Sequence, residues 1–144
     1  MIEILEVPAI LTSEFYPQIQ PLVARTLKYI RGEYDEAYVK EGLSNGQIIL
    51  CIASVDGKLT GMSLLCQEVY PGFPILRILQ VAGRHKKQWE WPMYEHIQSV
   101  AKRLECHRIE AAGRKGWATT AKEFGFTAYH ITYIKDLTNG FKIR

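Results

Sequence analysis

ILRILQVAGRHKKQWEWPMYEHIQSVAKRL, residues 75–104, decides the fold. Its first part, Ile75 to Ala82, is an apolar run of strand length. Gly83-Arg84-His85-Lys86-Lys87 is a basic turn. Behind it Met93, Ile97, Val100, Ala101 and Leu104 recur at helical spacing, and Pro92, tolerated as a first helical residue, is expected to open that helix. Strand, basic turn and helix start, in that order, commonly hold a phosphate. This turn has a single glycine, however, and Trp89, Glu90, Trp91 and Glu95 stand where a phosphate loop uses small neutral residues.

Working outward, His107 to Ala112 reads as a short strand. A helix between two strands most economically makes a right-handed crossover, so His107–Ala112 is expected to run parallel to Ile75–Ala82 and beside it. Upstream, Ile48 to Ala53 is apolar throughout, as in a strand covered on both faces. Asp56-Gly57 signals a tight hairpin that returns as Leu59 to Val69, and Pro71-Gly72-Phe73-Pro74 turns the chain into Ile75. These segments predict a three-stranded antiparallel meander.

At the start, Ile2 to Val7 alternates as a strand. Thr12 or Ser13 can cap a helical region, and Pro21 predicts a restarted helix over Pro21–Ile30 with Leu22, Val23, Thr26, Leu27 and Ile30 on one face. A second helix, Asp35 to Leu43, ends at Ser44-Asn45-Gly46. At the far end, Gly113 to Lys122 is a turn and short helix stopped by Gly125. Thr127 to Lys135 is a predicted final strand, with Tyr129 and Tyr133 packed on the face of Ile131. Residues 1–137 make one domain, followed by a short exposed tail at 138–144.

The chain has 144 residues, 47% of them hydrophobic, enough for a single core. A net charge of +3 is too slight for a nucleic-acid footprint, and no apolar run approaches the ~20 residues of a membrane span. Met1 to Pro8 carries Glu3 and Glu6 and no basic leader, so the expectation is a soluble cytoplasmic protein. Cys51, Cys66 and Cys106 lie in apolar surroundings without metal-like spacing, and read as small core thiols.

The order strand, two helices, three-stranded meander, helix, strand, short helix, strand resembles the GNAT superfamily of acetyl-CoA-dependent N-acyltransferases. Glu123-Phe124-Gly125-Phe126 looks like that family's helix ending in Gly-Phe. Gly113-Arg114-Lys115-Gly116-Trp117 followed by Gly125-Phe126 also looks like small GNAT-like proteins of tailed phages. The resemblance implies an α/β (α+β) mixed sheet of the acyl-CoA N-acyltransferase fold, in which the fourth strand splays from the fifth. It implies a pantetheine arm lying along Leu79, Val81 and Gly83, with the pyrophosphate at the next helix start. There Arg84, Lys86 and Lys87 are the cations that would replace the family's glycine loop, whose glycine positions fall on Lys87 and Trp89, and Arg114 is a further candidate for binding the cofactor.

The family's acid is commonly a Tyr four residues before Gly-Phe, which is Ala121 here, and no Asp or Glu lies within Ile75–Gly83 to serve as base. Glu110 and His85 are the substitutes the sequence offers. Tyr29, Tyr34 and Tyr38 fall where the first two helices cover an acceptor site, and read as pocket lining or as core. Trp89 and Trp91, aromatic and beside charge, read as anchors of a partner surface. The resemblance thus implies a GNAT-fold protein with lost or unconventional acyl transfer, acting by protein binding in virion assembly or on a host protein, in host cytoplasm or virion. The alternative is an active acetyl-CoA-dependent N-acetyltransferase acting on a small amine, a protein N-terminus or a lysine.

Overall fold

In the computed structural model, residues 1–30, 32–113 and 115–137 are described. Arg114 and the tail at 138–144 therefore lie outside the described residues. The elements are β1 (Ile2–Val7), a 3-10 turn at Ala9–Leu11, α1 (Thr12–Leu27), α2 (Glu36–Asn45), β2 (Ile48–Val55), β3 (Lys58–Val69), β4 (Pro74–Gly83), α3 (Lys86–Arg103) and β5 (Arg108–Ala111). A second 3-10 turn at Lys115–Trp117 leads into α4 (Ala118–Glu123).

The sheet has five strands in the order β1-β2-β3-β4-β5. All neighbours are antiparallel except β4 and β5, which run parallel in the register Ile75↔Arg108 to Ile78↔Ala111. The expected crossover is therefore present, and α3 makes it. Asp56 (φ 52) and Gly57 (φ 82) both take positive φ between Val55 and Lys58, the pairing that matches a two-residue hairpin to strand twist.

Ile48–Ala53 is covered on both faces, as its composition requires. Leu50 and Ile52 join Ile19, Val23, Leu27, Val39 and Leu43 under α1 and α2. Cys51 and Ala53 turn the other way, to Trp89, Met93, Ile97 and Val100 of α3. Burial pushes the Cys51 thiol up to about 12, which suits a core thiol and not a nucleophile. Among the described residues no cluster of His, Cys, Asp or Glu has metal-site geometry, and no helix is long and apolar enough to cross a membrane.

Four sequence expectations need correction. The restarted helix at Pro21 is instead part of one helix, Thr12–Leu27, with Pro17 and Pro21 inside it. Ser13, Pro17 and Pro21 are four residues apart and all exposed, so the carbonyls of Ser13 and Pro17 that the prolines leave unpaired can bond water. Thr12 does not cap that helix. It is buried and donates to the carbonyls of Ala9 (2.8 Å) and Leu43 (3.3 Å), tying α1 to the end of α2.

The crossover helix begins at Lys86, not at Pro92. Trp89 extends the apolar stripe of Met93, Ile97 and Val100 back by one turn, and burying it outweighs the hydrogen bond that Pro92 cannot donate. Finally, the sixth strand over Thr127–Lys135 does not form. Those residues pair with no strand, and Tyr129, Ile131 and Tyr133 are 77%, 74% and 88% exposed. Strand propensity depends on cross-strand partners. β5 offers an edge of only four residues, and it meets Tyr129 through a side chain, with the Arg108 guanidinium 5.1 Å from the ring.

Candidate functional site

The parallel pairing of β4 with β5 stops at Ile78↔Ala111, while β4 continues to Gly83. On the β3 side Leu65 faces Ile78 and Leu64 faces Gln80, so Leu79 is the extra residue of a bulge. A bulge bends and twists its strand, and this one lies just where β4 leaves β5. Leu79–Gly83 thus borders a wedge, and its edge away from β3 has no strand partner among the described residues. An extended ligand can pair with such an edge. Leu79 packs on the α1/α2 side and Val81 on the α3 side, which fixes the edge from both faces.

The strand then turns sharply into α3. Gly83 has φ 153, and a Cβ there would stand 2.4 Å from the Thr60 carbonyl oxygen and 2.5 Å from the Gly61 Cα, so backbone packs where a side chain would be. Arg84 N–H donates to the same Thr60 oxygen at 2.9 Å. His85, in the left-handed region with φ 52, is the N-cap and supplies no side-chain cap. The amides at the start of a helix have no intrahelical acceptor and, with the helix dipole, favour an anion.

Two features of the sequence that argue against a phosphate are removed by this geometry. Glu90 and Glu95 do not occupy the positive end of α3, whose first turn contains no acid. Trp89 does not face outward: it is fully buried, with its ring against Gly61 and Gly83 and its Nε1 donating to the Arg84 carbonyl at 2.7 Å. It supports the turn from inside and cannot anchor a partner surface. Trp91 is half exposed and stands by Tyr94 and Phe124, with centroids at 6.1 and 5.5 Å. Arg84, His85, Lys86 and Lys87 are all exposed around the helix start.

Glu110 lies one residue before the fork, in the paired part of β5 opposite Arg77. Tyr70 donates to its Oε1 at 2.8 Å, Arg77 at 3.2 Å, and Arg108 donates to Oε2 at 2.8 Å. Burial pushes the carboxyl pKa up, but the Tyr70 and Arg108 hydrogen bonds and the charges of Arg108 and Arg77 outweigh it, leaving it below the ordinary glutamate value. A carboxylate so held is a weak proton acceptor. Arg77 also forks onto Glu68, with both contacts at 2.9 Å.

On the α1/α2 side, Tyr34 accepts from Gln80 Nε2 at 3.1 Å and stacks obliquely on Tyr38. Tyr29 and Tyr38 are about half exposed and are not core residues. The fully apolar neighbours of Gln80 in the sequence already hinted that its amide is buried, at 2% exposure. Trp117 packs against Phe126, with centroids 5.6 Å apart. Two cavities of about 360 Å³ lie elsewhere, and no residue of Leu79–Lys87 lines either one.

No protein-family model matches the sequence, and no curated protein matches it. Solved structures do. A predicted acetyltransferase from Clostridium acetobutylicum, crystallised with acetyl-CoA, is 15% identical with a TM-score of 0.73 over 95% of this chain and 97% of its own. A ribosomal-protein-alanine N-acetyltransferase from Brucella melitensis is 14% identical, with a TM-score of 0.69 over 96% of this chain and all of its own. Glucosamine-6-phosphate N-acetyltransferase from Arabidopsis thaliana is 13% identical, with a TM-score of 0.68 over 96% and 99%. The likeness to phage proteins draws no support from these neighbours. At such identities the likeness is one of architecture, and this chain has the GNAT, or acyl-CoA N-acyltransferase, fold.

Proposed function

We propose that the chain is an acetyl-CoA-binding acetyltransferase acting on an amine. The observation that carries this reading is the continuity of an open strand edge, Leu79–Gly83, with a helix start that has no side-chain cap and no acid in its first turn. The residues fit the cofactor. Backbone groups of Leu79, Val81 and Gly83 would pair with the pantetheine amides. The first amides of α3, with Arg84, Lys86 and Lys87 and an N–H of His85, would take the pyrophosphate by charge-assisted hydrogen bonds. When bound, acetyl-CoA supplies an acetyl group activated as a thioester. The neighbour crystallised with acetyl-CoA supports the fit.

Thermal melting with and without acetyl-CoA tests the reading. Ligand at ~100 times its dissociation constant adds ~2.7 kcal/mol, so a clear upward shift is expected. A melting curve unmoved by millimolar acetyl-CoA overturns it.

A further inference from the structure

Lys87, Trp91 and Glu95 follow one another at four-residue steps on α3 and are all exposed, so they form one row along its outer flank, ~6 Å apart. The row begins at the helix start that would take the pyrophosphate. Its middle member is held from behind. Trp91 leans on Tyr94 and Phe124, with centroids at 6.1 and 5.5 Å, and those two rings stack on each other at 5.0 Å with planes 5° apart. A set of rings thus joins α3 to the end of α4, and its outermost member, Trp91, is 52% exposed.

Charge changes sign along this row. Arg84, His85, Lys86 and Lys87 surround the helix start, whereas Glu90 and Glu95 on α3 and Glu123, next to Phe124 in the chain, give the indole acidic surroundings. Phosphate is therefore attracted to the first turn of α3 and repelled from the second. What suits the indole is a flat, uncharged group whose edge can donate to a carboxylate, joined to an anion by a linker about one helical turn long. A purine carrying an amino group, one ribose away from a pyrophosphate, meets each of these requirements. Bases stack on aromatic side chains, and a ring already held in place loses little freedom in receiving one.

We propose that Trp91 is the stacking platform for the adenine of the acyl donor, so that the chain takes its donor as the free nucleotide thioester and not as the same arm lacking adenosine. This rests on the acetyltransferase reading above and adds the far end of the donor to it. The strand edge holds the pantetheine, the start of α3 the phosphates, and the rings between α3 and α4 the base. Trp89 and Trp91 then divide the work: the buried indole shapes the turn, and the exposed one meets the ligand.

Calorimetric titration compares acetyl-CoA with S-acetyl phosphopantetheine, which lacks the adenosine end, on the wild type, Trp91→Leu and Trp91→Tyr. Leucine keeps an apolar contact with Tyr94 and Phe124 but offers no ring face. Trp91→Leu should bind acetyl-CoA roughly tenfold more weakly, the scale of one lost base stack, and should bind the truncated thioester as the wild type does. Trp91→Tyr should recover most of that loss. On the wild type alone, adenosine bisphosphate should displace acetyl-CoA roughly tenfold better than ribose bisphosphate, which has no base; this arm decides the matter even if Trp91→Leu does not fold. A wild type that binds neither thioester overturns the function and this inference together. With acetyl-CoA bound, this inference alone is overturned by equal loss of both thioesters in Trp91→Leu, by no loss of either, by no recovery in Trp91→Tyr, or by equal displacement by the two bisphosphates. A wild-type dimer that Trp91→Leu makes monomeric, with acetyl-CoA affinity unchanged, would give the ring to an interface between copies instead.

Discussion

The indole Nε1 of Trp89 donates to the backbone carbonyl of Arg84 at 2.7 Å, while the six-membered part of the same ring lies over Gly61. A core side chain thereby fixes the basic turn. A Cβ on Gly61 would fall 2.2 Å from Trp89 Cζ2, so Gly61→Ala must displace the ring. Overpacking of this kind costs about 1–3 kcal/mol. Urea unfolding should show that loss, and Trp89→Leu in the Gly61→Ala background should cost less than Trp89→Leu alone. Additive losses would mean that the two sites do not share the space.

Lys86 and Lys87 are exposed, and neither side chain forms a hydrogen bond or ion pair among the described residues. Replacing both by Glu should leave the melting temperature without ligand within a degree or two, since exposed sites away from such contacts change stability by about 0.5 kcal/mol or less. The acetyl-CoA shift should vanish, because two like charges then face the pyrophosphate at the helix start. Calorimetric titration of both proteins with acetyl-CoA checks this, and equal affinities would remove the lysines from the site.

His96, on α3, has its Nε2 buried without a hydrogen-bond partner among the described residues. Burial lowers its pKa below 6.5; Glu6 opposes the shift and Arg103 adds to it. The unfolded chain therefore binds a proton at a pH where the folded chain does not, so stability rises with pH across that window. Seen from above, the contribution is complete beyond about 6.5 and is lost as the pH falls through the lowered value. Urea midpoints should drop over that interval in the wild type and stay flatter in His96→Met. Parallel curves for the two proteins would assign the acid sensitivity to other groups.

The sheet was readable because its signals are local. Asp56-Gly57 dictates a hairpin, and the unbroken apolar run Ile48–Ala53 dictates a strand with two covered faces. The prolines misled because sequence shows a missing N–H but not whether the freed carbonyl meets water, as those of Ser13 and Pro17 can. The start of α3 was legible in principle, since Trp89, Met93, Ile97 and Val100 share one stripe. Taking Pro92 as the first residue hid that stripe, and with it an acid-free first turn. Thr127–Lys135 has a strand's alternation but lacks partners, which no local pattern records. The bulge at Leu79 and the hydrogen bond of Gln80 depend on β3 and Tyr34, distant in sequence.

Arg77 bridges Glu68 and Glu110 and also donates to the Tyr70 hydroxyl at 3.1 Å, all in partly buried surroundings. Exposed ion pairs are worth ~0–1 kcal/mol, and breaking a buried one costs ~3–5 kcal/mol, so Arg77→Met should cost about 1–3 kcal/mol. Because the folded Glu110 carboxyl titrates below the ordinary glutamate value, its share of stability is present above that value and disappears as the pH falls through the lowered one. Glu110→Gln should remove that acid-side slope. The same variant separates an ion-pair role from a role as base. Held by two guanidinium groups and a phenol, Glu110 should be dispensable for transfer, with kcat/KM within a few-fold of wild type. A loss of a hundredfold or more, the range typical of a missing general base, with the acetyl-CoA melting shift intact, would instead make Glu110 the proton acceptor.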